Sequence, residues 1–311
     1  MKNQKIKITV ILTFLTLLTN NSIYGYELDG GAHKFSIYGN SGLSTFRYKL
    51  PEGDIHNGNG SAFGVGYTFY LNKQLGIHTG AGMGMYRTRV KATEVKIVSP
   101  NLIDSEGDRF DMHTTLFDYN EIQKALFLDI PVMGICQKTI GIIPVYIMGG
   151  IKMGIPINSK YASSSTKLEN ASYYPEFDNW AKSQKFAGNG VFDDKKFDGN
   201  LNLGVSLMLA LEAGSKIYAR DNISLYIGAF FDCGLNNVLK DKEPFINYTA
   251  KDPSNFTANM FSISHRTNMM SAGIILRVNF NISIHPKLYR KNKNPTYDNN
   301  ISPYGFPFQE R

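Results

Sequence analysis

Five charged residues stand in segments that otherwise consist of apolar and small side chains. They are Asp129, Lys152, Glu212, Asp232 and Arg277, and His78, Tyr146 and Tyr226 accompany them. All eight fall on the same side of an alternating pattern, so we expect them to share one enclosed polar space. An unpaired buried charge costs on the order of several kcal/mol. The pattern therefore predicts ion pairs, such as Glu212 with Arg277, that plug this space. Alternatively, one pair exchanges partners and opens a narrow ion path.

The alternation that places these charges is regular. From Leu201 to Leu211 every odd position carries a large aliphatic residue, and the even positions carry Asn, Gly, Ser, Met and Ala. A period of two predicts β-strands. In a soluble sheet the second face would carry many residues such as Lys, Glu and Thr. Here that face is small and weakly polar, which suits the lumen of a narrow barrel, so the bulky face is predicted to meet lipid.

Alternating segments recur along the chain and suggest eight strands in all. They cover residues 34–48, 61–71, 75–90, 121–136, 144–158, 199–214, 222–236 and 267–283. Short connections follow the second, fourth and sixth segments, and long connections follow the first, third, fifth and seventh. The sequence therefore predicts an all-β protein, an eight-stranded antiparallel transmembrane β-barrel with short periplasmic turns and long extracellular loops.

The ends of the chain predict export. Three lysines precede an apolar stretch at residues 8–18, and Gly25 offers a cleavage point, so residues 1–25 are predicted to be a signal peptide. The barrel is assigned to residues 26–283. Residues 284–311 are expected to form a basic, Pro-containing periplasmic tail that is mostly disordered. Cys136 and Cys233 are predicted near opposite ends of the barrel, Cys136 in a turn, so no disulfide is expected.

Several functional classes are not favoured. The chain has 311 residues and a net charge of +7, and three of the positive charges lie in the predicted signal peptide. This surplus is too small to indicate a nucleic-acid partner. No P-loop, zinc-spaced Cys/His cluster or G-x-S-x-G motif occurs. We therefore expect no enzymatic activity, no catalytic residues, no metal and no cofactor.

The predicted third extracellular loop, residues 159–198, is rich in aromatic residues. The candidates for recognition of an extracellular glycan or protein are Tyr161, Tyr173, Tyr174 and Trp180. Exposed aromatic side chains provide a large contact area together with a polar group. The alternative is that these rings pack among themselves over the barrel mouth.

Short motifs occur in a characteristic order along the chain. They include Leu128-Asp129-Ile130-Pro131-Val132, Gly149-Gly150-Ile151-Lys152-Met153-Gly154-Ile155-Pro156, Tyr173-Tyr174-Pro175, Ser224-Leu225-Tyr226-Ile227-Gly228, Asp232-Cys233-Gly234-Leu235-Asn236-Asn237 and Gly273-Ile274-Ile275-Leu276-Arg277-Val278. This order resembles that of the OmpA-type outer-membrane β-barrels of Bacteroidetes, porin-like barrels. Members of that family often continue into a peptidoglycan-binding domain, and residues 284–311 are too few for one.

The resemblance implies a place in the outer membrane of a Gram-negative bacterium, in contact with outer-membrane lipid and lipopolysaccharide. Gly273, Leu276, Val278 and Phe280 resemble the terminal signal by which the barrel-insertion machinery recognises its substrates. The favoured function is structural: the barrel contributes to envelope integrity and displays surface loops. A narrow gated channel and a surface adhesin or receptor that uses the third loop are the alternatives.

Overall fold

The structure is a computed structural model that describes residues 33–50, 53–220, 222–240, 245, 248, 258–264 and 266–282. The predicted signal peptide and tail lie outside these residues. The described chain forms strands and two short 3-10 helices at Lys185–Ala187 and Met260–Ile263. The strands are β1 (His33–Arg47), β2 (Asp54–Asn57), β3 (Asn59–Tyr70), β4 (Leu75–Ile103), β5 (Arg109–Ile140), β6 (Ile143–Tyr174), β7 (Asn179–Ala181), β8 (Gly190–Asn200), β9 (Ser206–Arg220), β10 (Ile223–Gly234) and β11 (Asn268–Ile282).

Eight of these strands close into a ring. Every neighbouring pair is antiparallel, and the order β1-β3-β4-β5-β6-β9-β10-β11 returns to β1. Short turns join β3 to β4, β5 to β6, and β9 to β10 at one end, which we call the lower end. At the opposite, upper end a short turn at residues 104–108 joins β4 to β5, and the other connections are longer. The predicted eight-stranded antiparallel barrel is confirmed.

An apolar band surrounds the lower part of the ring. Its exposed side chains include Phe35, Ile37, Phe63, Val65, Ile77, Met83, Val132, Ile147, Ile151, Leu207, Leu209, Leu211, Ile227, Phe231, Ile274 and Leu276. A soluble surface rarely exposes so large a continuous apolar area. This outer surface is the one that a transmembrane barrel presents to lipid.

The strands rise well above this band, which differs from the prediction. β4 continues to Ile103, where 75–90 was predicted, and β5 already begins at Arg109. β6 continues to Tyr174 and pairs there with β7 and β8. The predicted second and third loops are therefore mostly β-structure. These segments form strands because they also have an apolar face, which points into the barrel and is buried there.

The direction of the apolar face reverses along single strands. In β4 the outward residues change from Met83 and Met85 to Arg87 and Arg89, while Val90, which points inward, is completely buried. Side chains alternate strictly between the two faces of a strand. The lower barrel is therefore apolar outside, and the upper barrel is apolar inside.

The inward apolar residues of the upper barrel form one hydrophobic core, which we call the cap core. Its fully buried members include Phe46, Val90, Met112, Leu116, Tyr119, Phe127, Leu168, Met208, Met260 and Phe261. Leu201 and Leu203 also belong to it. They were predicted to face outward in a strand that begins at residue 199. Instead β9 begins at Ser206, because Leu201 and Leu203 fill this core.

Two further features concern the chain as a whole. Within the described ranges, no helix is long and apolar enough to cross a membrane. Cys136 and Cys233 are free thiols, as expected. Cys136 lies within β5, where it pairs with β4 and β6, and not in the turn where it was predicted.

Candidate functional site

The lumen of the lower barrel is a polar space that glycine residues on β3 and β4 keep open. A Cβ atom added at Gly64 or Gly82 would lie 2.6 Å or 2.5 Å from the Tyr38 hydroxyl. One added at Gly66 would lie 2.5 Å from the His78 ring. The glycine-rich sector therefore provides the room that these two inward side chains occupy.

The central interaction in the lumen joins Glu212 on β9 to Arg277 on β11. The Arg277 Nη2 atom lies 2.6 Å from Glu212 Oε2, and both side chains are only 6% exposed. The Tyr146 hydroxyl donates a hydrogen bond to Glu212 Oε1 at 2.7 Å. The carboxylate thus has one cation and one neutral donor, which is the arrangement that a buried charge requires.

The other side of Arg277 faces His78. The distance from Arg277 Nη1 to His78 Nε2 is 3.1 Å, and His78 Nδ1 lies 2.8 Å from the Thr68 hydroxyl. The guanidinium carbon lies 5.4 Å from the centre of the Tyr38 ring, a cation–π distance. Six strands therefore contribute groups to a single network around Glu212 and Arg277: β1, β3, β4, β6, β9 and β11.

A second ion pair crosses the lumen between β6 and β10. Lys152 Nζ lies 2.6 Å from Asp232 Oδ2, which also accepts a hydrogen bond from Ser271 at 2.9 Å. Asp129 is buried nearby, and its Oδ1 atom accepts no hydrogen bond from any described residue. The structure thus brings all five predicted charges into the lumen. Thr68 and Ser271 were not predicted as members of the network, although the alternation of β3 and β11 places both of them on the inward face.

Little free space is left around these charges. The cavity between Tyr38, His78, Lys152, Glu212 and Arg277 has a volume of about 30 Å³, enough for about one water molecule. Below it, a cluster of buried residues fills the lumen: Tyr70, Met133, Ile135, Tyr146, Met148, Ala210 and Tyr226. Above it lies the cap core. The described lumen is therefore filled by side chains, as expected for eight strands.

The upper entrance is closed by the chain segment at residues 258–264. The backbone N–H of Met260 donates to Glu121 Oε2 at 2.8 Å, and the Gln123 amide donates to Glu121 Oε1 at 2.6 Å. Tyr119 donates a third hydrogen bond. Glu121 lies above the apolar band, outside the membrane-spanning segments. Burial raises the pKa of its carboxyl above the usual value of 4.5, and the hydrogen bonds oppose that shift.

The predicted recognition residues of the third loop separate into different environments. Tyr161 is buried in the cap core and is not part of the exposed surface. Tyr174 is half-buried and donates a hydrogen bond to Asp104 at 3.1 Å. Tyr173 and Trp180 pair across β6 and β7 with ring centres 5.0 Å apart, and His113 lies 4.8 Å from Trp180. These last three residues form the tip cluster, in which Trp180 is 43% exposed.

The residues of the predicted insertion signal lie on β11, where the ring closes. A Cβ atom added at Gly273 would lie 2.2 Å from the Ser41 carbonyl oxygen on β1, so only glycine fits this close approach. Leu276 is half-exposed in the apolar band, and Val278 and Phe280 lie on the same outward face.

No group of three or more His, Cys, Asp or Glu residues within the described parts of the chain could hold a metal ion.

Several solved structures are similar to this chain. No protein-family model matches the chain, and no curated protein matches it. Similar solved structures include OprG of Pseudomonas aeruginosa, 12% identical, with 81% of this chain and 98% of that chain covered and a TM-score of 0.32. Ail of Yersinia pestis is 11% identical (81% and 100% covered, TM-score 0.31), and Neisserial surface protein A is 11% identical (80% and 97% covered, TM-score 0.29). At these values the likeness adds no argument about activity, and the barrel assignment rests on the strand pairing described above.

Proposed function

We propose that this protein is a non-catalytic outer-membrane barrel of the OmpA type whose role is structural. It resides in the outer membrane of a Gram-negative bacterium after export by a cleaved signal peptide, and the barrel-insertion machinery recognises Gly273, Leu276, Val278 and Phe280. The apolar band contacts outer-membrane lipid. The upper strands display surface structure outside the cell, and the barrel contributes to envelope integrity.

The observation that carries the structural role is the closed lumen. Two ion pairs, Glu212 with Arg277 and Lys152 with Asp232, cross it, and the cavity beside them holds about one water molecule. Opening an ion path would require these pairs to separate in a space with little water. That separation costs on the order of several kcal/mol, which supports a plug over a gated, porin-like channel.

Single-channel recording of the refolded protein in a planar bilayer tests this proposal. Insertion is first verified by a heat-dependent shift in gel mobility. We expect no discrete openings from the parent protein. Steady openings that change in Glu212→Ala would contradict the plug and establish the gated channel. Lys167→Ala, which removes an exposed ion pair on β6, is the control and should leave the recording unchanged.

A second candidate function, surface adhesion, is favoured by the tip cluster of His113, Tyr173 and Trp180. Aromatic rings that contact each other at a tilt, at an exposed hairpin end, are suited to binding a glycan or protein surface. Whole cells that carry Trp180→Ala should then lose adhesion to a host-cell or glycan array, while Phe186→Ala, which alters a ring that is 81% exposed elsewhere in this region, should not. Equal binding by both variants would contradict the adhesin role.

A further inference from the structure

Three cations face outward in a row across neighbouring strands. Arg87 on β4 is directly opposite Lys124 on β5, which is directly opposite Lys160 on β6. Lys124 and Lys160 are exposed and Arg87 is half-buried. Like charges in directly opposite positions destabilise a sheet. None of the three forms an ion pair with another described residue. This basic row therefore lacks a counter-charge from the part of the chain that the structure describes.

The height of the basic row on the barrel is informative. The next outward residues below it are Met85 and Leu126, which are also opposite each other and belong to the apolar band. Above Arg87 the next outward residue of β4 is Arg89. The basic row thus marks the upper edge of the apolar band. In a membrane this is the level of the lipid headgroups, where basic side chains meet anionic groups.

A groove adjoins the basic row. It has a volume of about 580 Å³, and its lining includes all three cations together with Met85, Leu126 and Ser61. The cations lie on its upper side and the apolar side chains lie below them. A ligand that fits has anionic groups next to acyl chains. Arg87 can bind a phosphate through two parallel hydrogen bonds, and the lysines add point charges.

We infer that the basic row binds the phosphorylated headgroup of a glycolipid in the outer leaflet, with the acyl chains of that lipid lying along Met85 and Leu126. This inference rests on the proposed outer-membrane location. It adds a defined lipid site, one that supplies the missing negative charge and fixes the height of the barrel in the membrane. The paired charges of the lumen take no part in it.

Native mass spectrometry of the detergent-solubilised protein, titrated with bisphosphorylated lipid A, tests the inference. The variant Arg87→Gln/Lys124→Gln/Lys160→Gln should lose about 100-fold in affinity, given the usual contribution of each basic side chain near an anionic lipid surface. The control Arg109→Gln/Lys182→Gln/Lys196→Gln removes three exposed cations from the part of the barrel above the basic row. It makes the same change in net charge and should bind like the parent.

Three results would overturn the inference: equal loss in the control, unchanged binding in the variant of the basic row, or displacement of the lipid by millimolar inorganic phosphate. The last would identify a site for free anions and not for a lipid. Dephosphorylated lipid A should bind as weakly to the parent as bisphosphorylated lipid A binds to the variant. The heat-dependent gel shift is recorded for each protein. A barrel that inserts but binds no lipid A would contradict this inference alone, whereas a chain that does not insert would contradict the proposed function.

Discussion

The lower and upper halves of this barrel are built from the same strands but place their apolar side chains on opposite faces of the sheet. Below the basic row, apolar side chains point outward, and the interior holds paired charges such as Glu212 and Arg277. Above it, the interior is a hydrophobic core that contains Met112 and Leu116, and charges such as Arg89 point outward. Strand geometry is the same in both halves, so the reversal reflects the surroundings: lipid outside one half and water outside the other.

The largest effect should come from breaking the central ion pair of the lower half. Arg277→Met leaves the Glu212 carboxylate buried without its cation, which should reduce the free energy of unfolding by about 3–5 kcal/mol. Urea unfolding in lipid vesicles, followed by circular dichroism of the strands, measures it. Lys167→Met removes an exposed pair with Glu169 and should cost less than about 1 kcal/mol. Equal losses in the two variants would show that the lumen pair contributes no more to the free energy of unfolding than an exposed pair does.

The upper half should instead be sensitive to lost apolar volume. Leu116→Ala creates a cavity in the cap core and should cost about 2–5 kcal/mol, whereas Val98→Ala, at a site that is 49% exposed, should cost less than about 0.5 kcal/mol. Trp180 is the single tryptophan of the chain and lies on β7 in the upper half. Its fluorescence therefore follows the upper half, and circular dichroism follows the whole barrel. A shift of both signals by the same amount would mean that the halves unfold as one unit.

The outer surfaces of the halves should respond differently to a new charge. Leu209→Arg places a cation in the apolar band and should destabilise the vesicle-inserted protein by about 2–4 kcal/mol. Val191→Arg, on β8, introduces the same charge at a similarly exposed site, 40% against 42%, and should alter stability by less than about 0.5 kcal/mol. Comparable losses at both sites would argue against lipid as the surroundings of the lower half.

The smallest effect concerns pH and the closing segment. Because the pKa of Glu121 is raised in the folded state, that state holds its proton up to a higher pH than the unfolded chain does. The stability of the folded state, in which residues 258–264 cover Glu121, is therefore greatest below the ordinary pKa near 4.5 and weakens as pH rises through the raised value.

Hydrogen exchange of the Met260 amide, corrected for intrinsic rates, measures this weakening. Protection should fall with rising pH in the parent and stay level in Glu121→Gln, which cannot ionise. A parallel fall in both proteins would assign the pH dependence to another group.

The sequence predicted the lower half of the barrel better than the upper half. Alternation with small inward residues, as in β3 and β9, located the ring, because only a lipid-facing strand combines bulky and small faces in that way. The upper extensions of β4 to β6 were expected to be loops, since their outward charges break that rule. The signal was present in the buried alternation of Phe110, Met112, Thr114 and Leu116, which is the same period with the faces exchanged.

Candidate residues were predicted more readily than their partners. Strand parity alone places Asp129, Lys152, Glu212, Asp232 and Arg277 in the lumen. The pairing of Lys152 with Asp232 could not be predicted, because β6 and β10 are not neighbours in the ring and meet only across its interior. Tyr161 was expected at the surface for a related reason. Its burial depends on the cap core, which forms only when β6 and β8 extend above the band.

Accessibility of single sites along β4 tests the reversal most directly. Single cysteines at Met83, Met85 and Val98 are introduced one at a time, with Cys136 and Cys233 replaced by serine, and each is labelled with an environment-sensitive fluorophore in vesicles. We expect lipid-attached quenchers to quench Met83→Cys and Met85→Cys, and aqueous iodide to quench only Val98→Cys. Iodide quenching of all three sites to the same extent would contradict a membrane boundary at the basic row, and with it the account of the two halves.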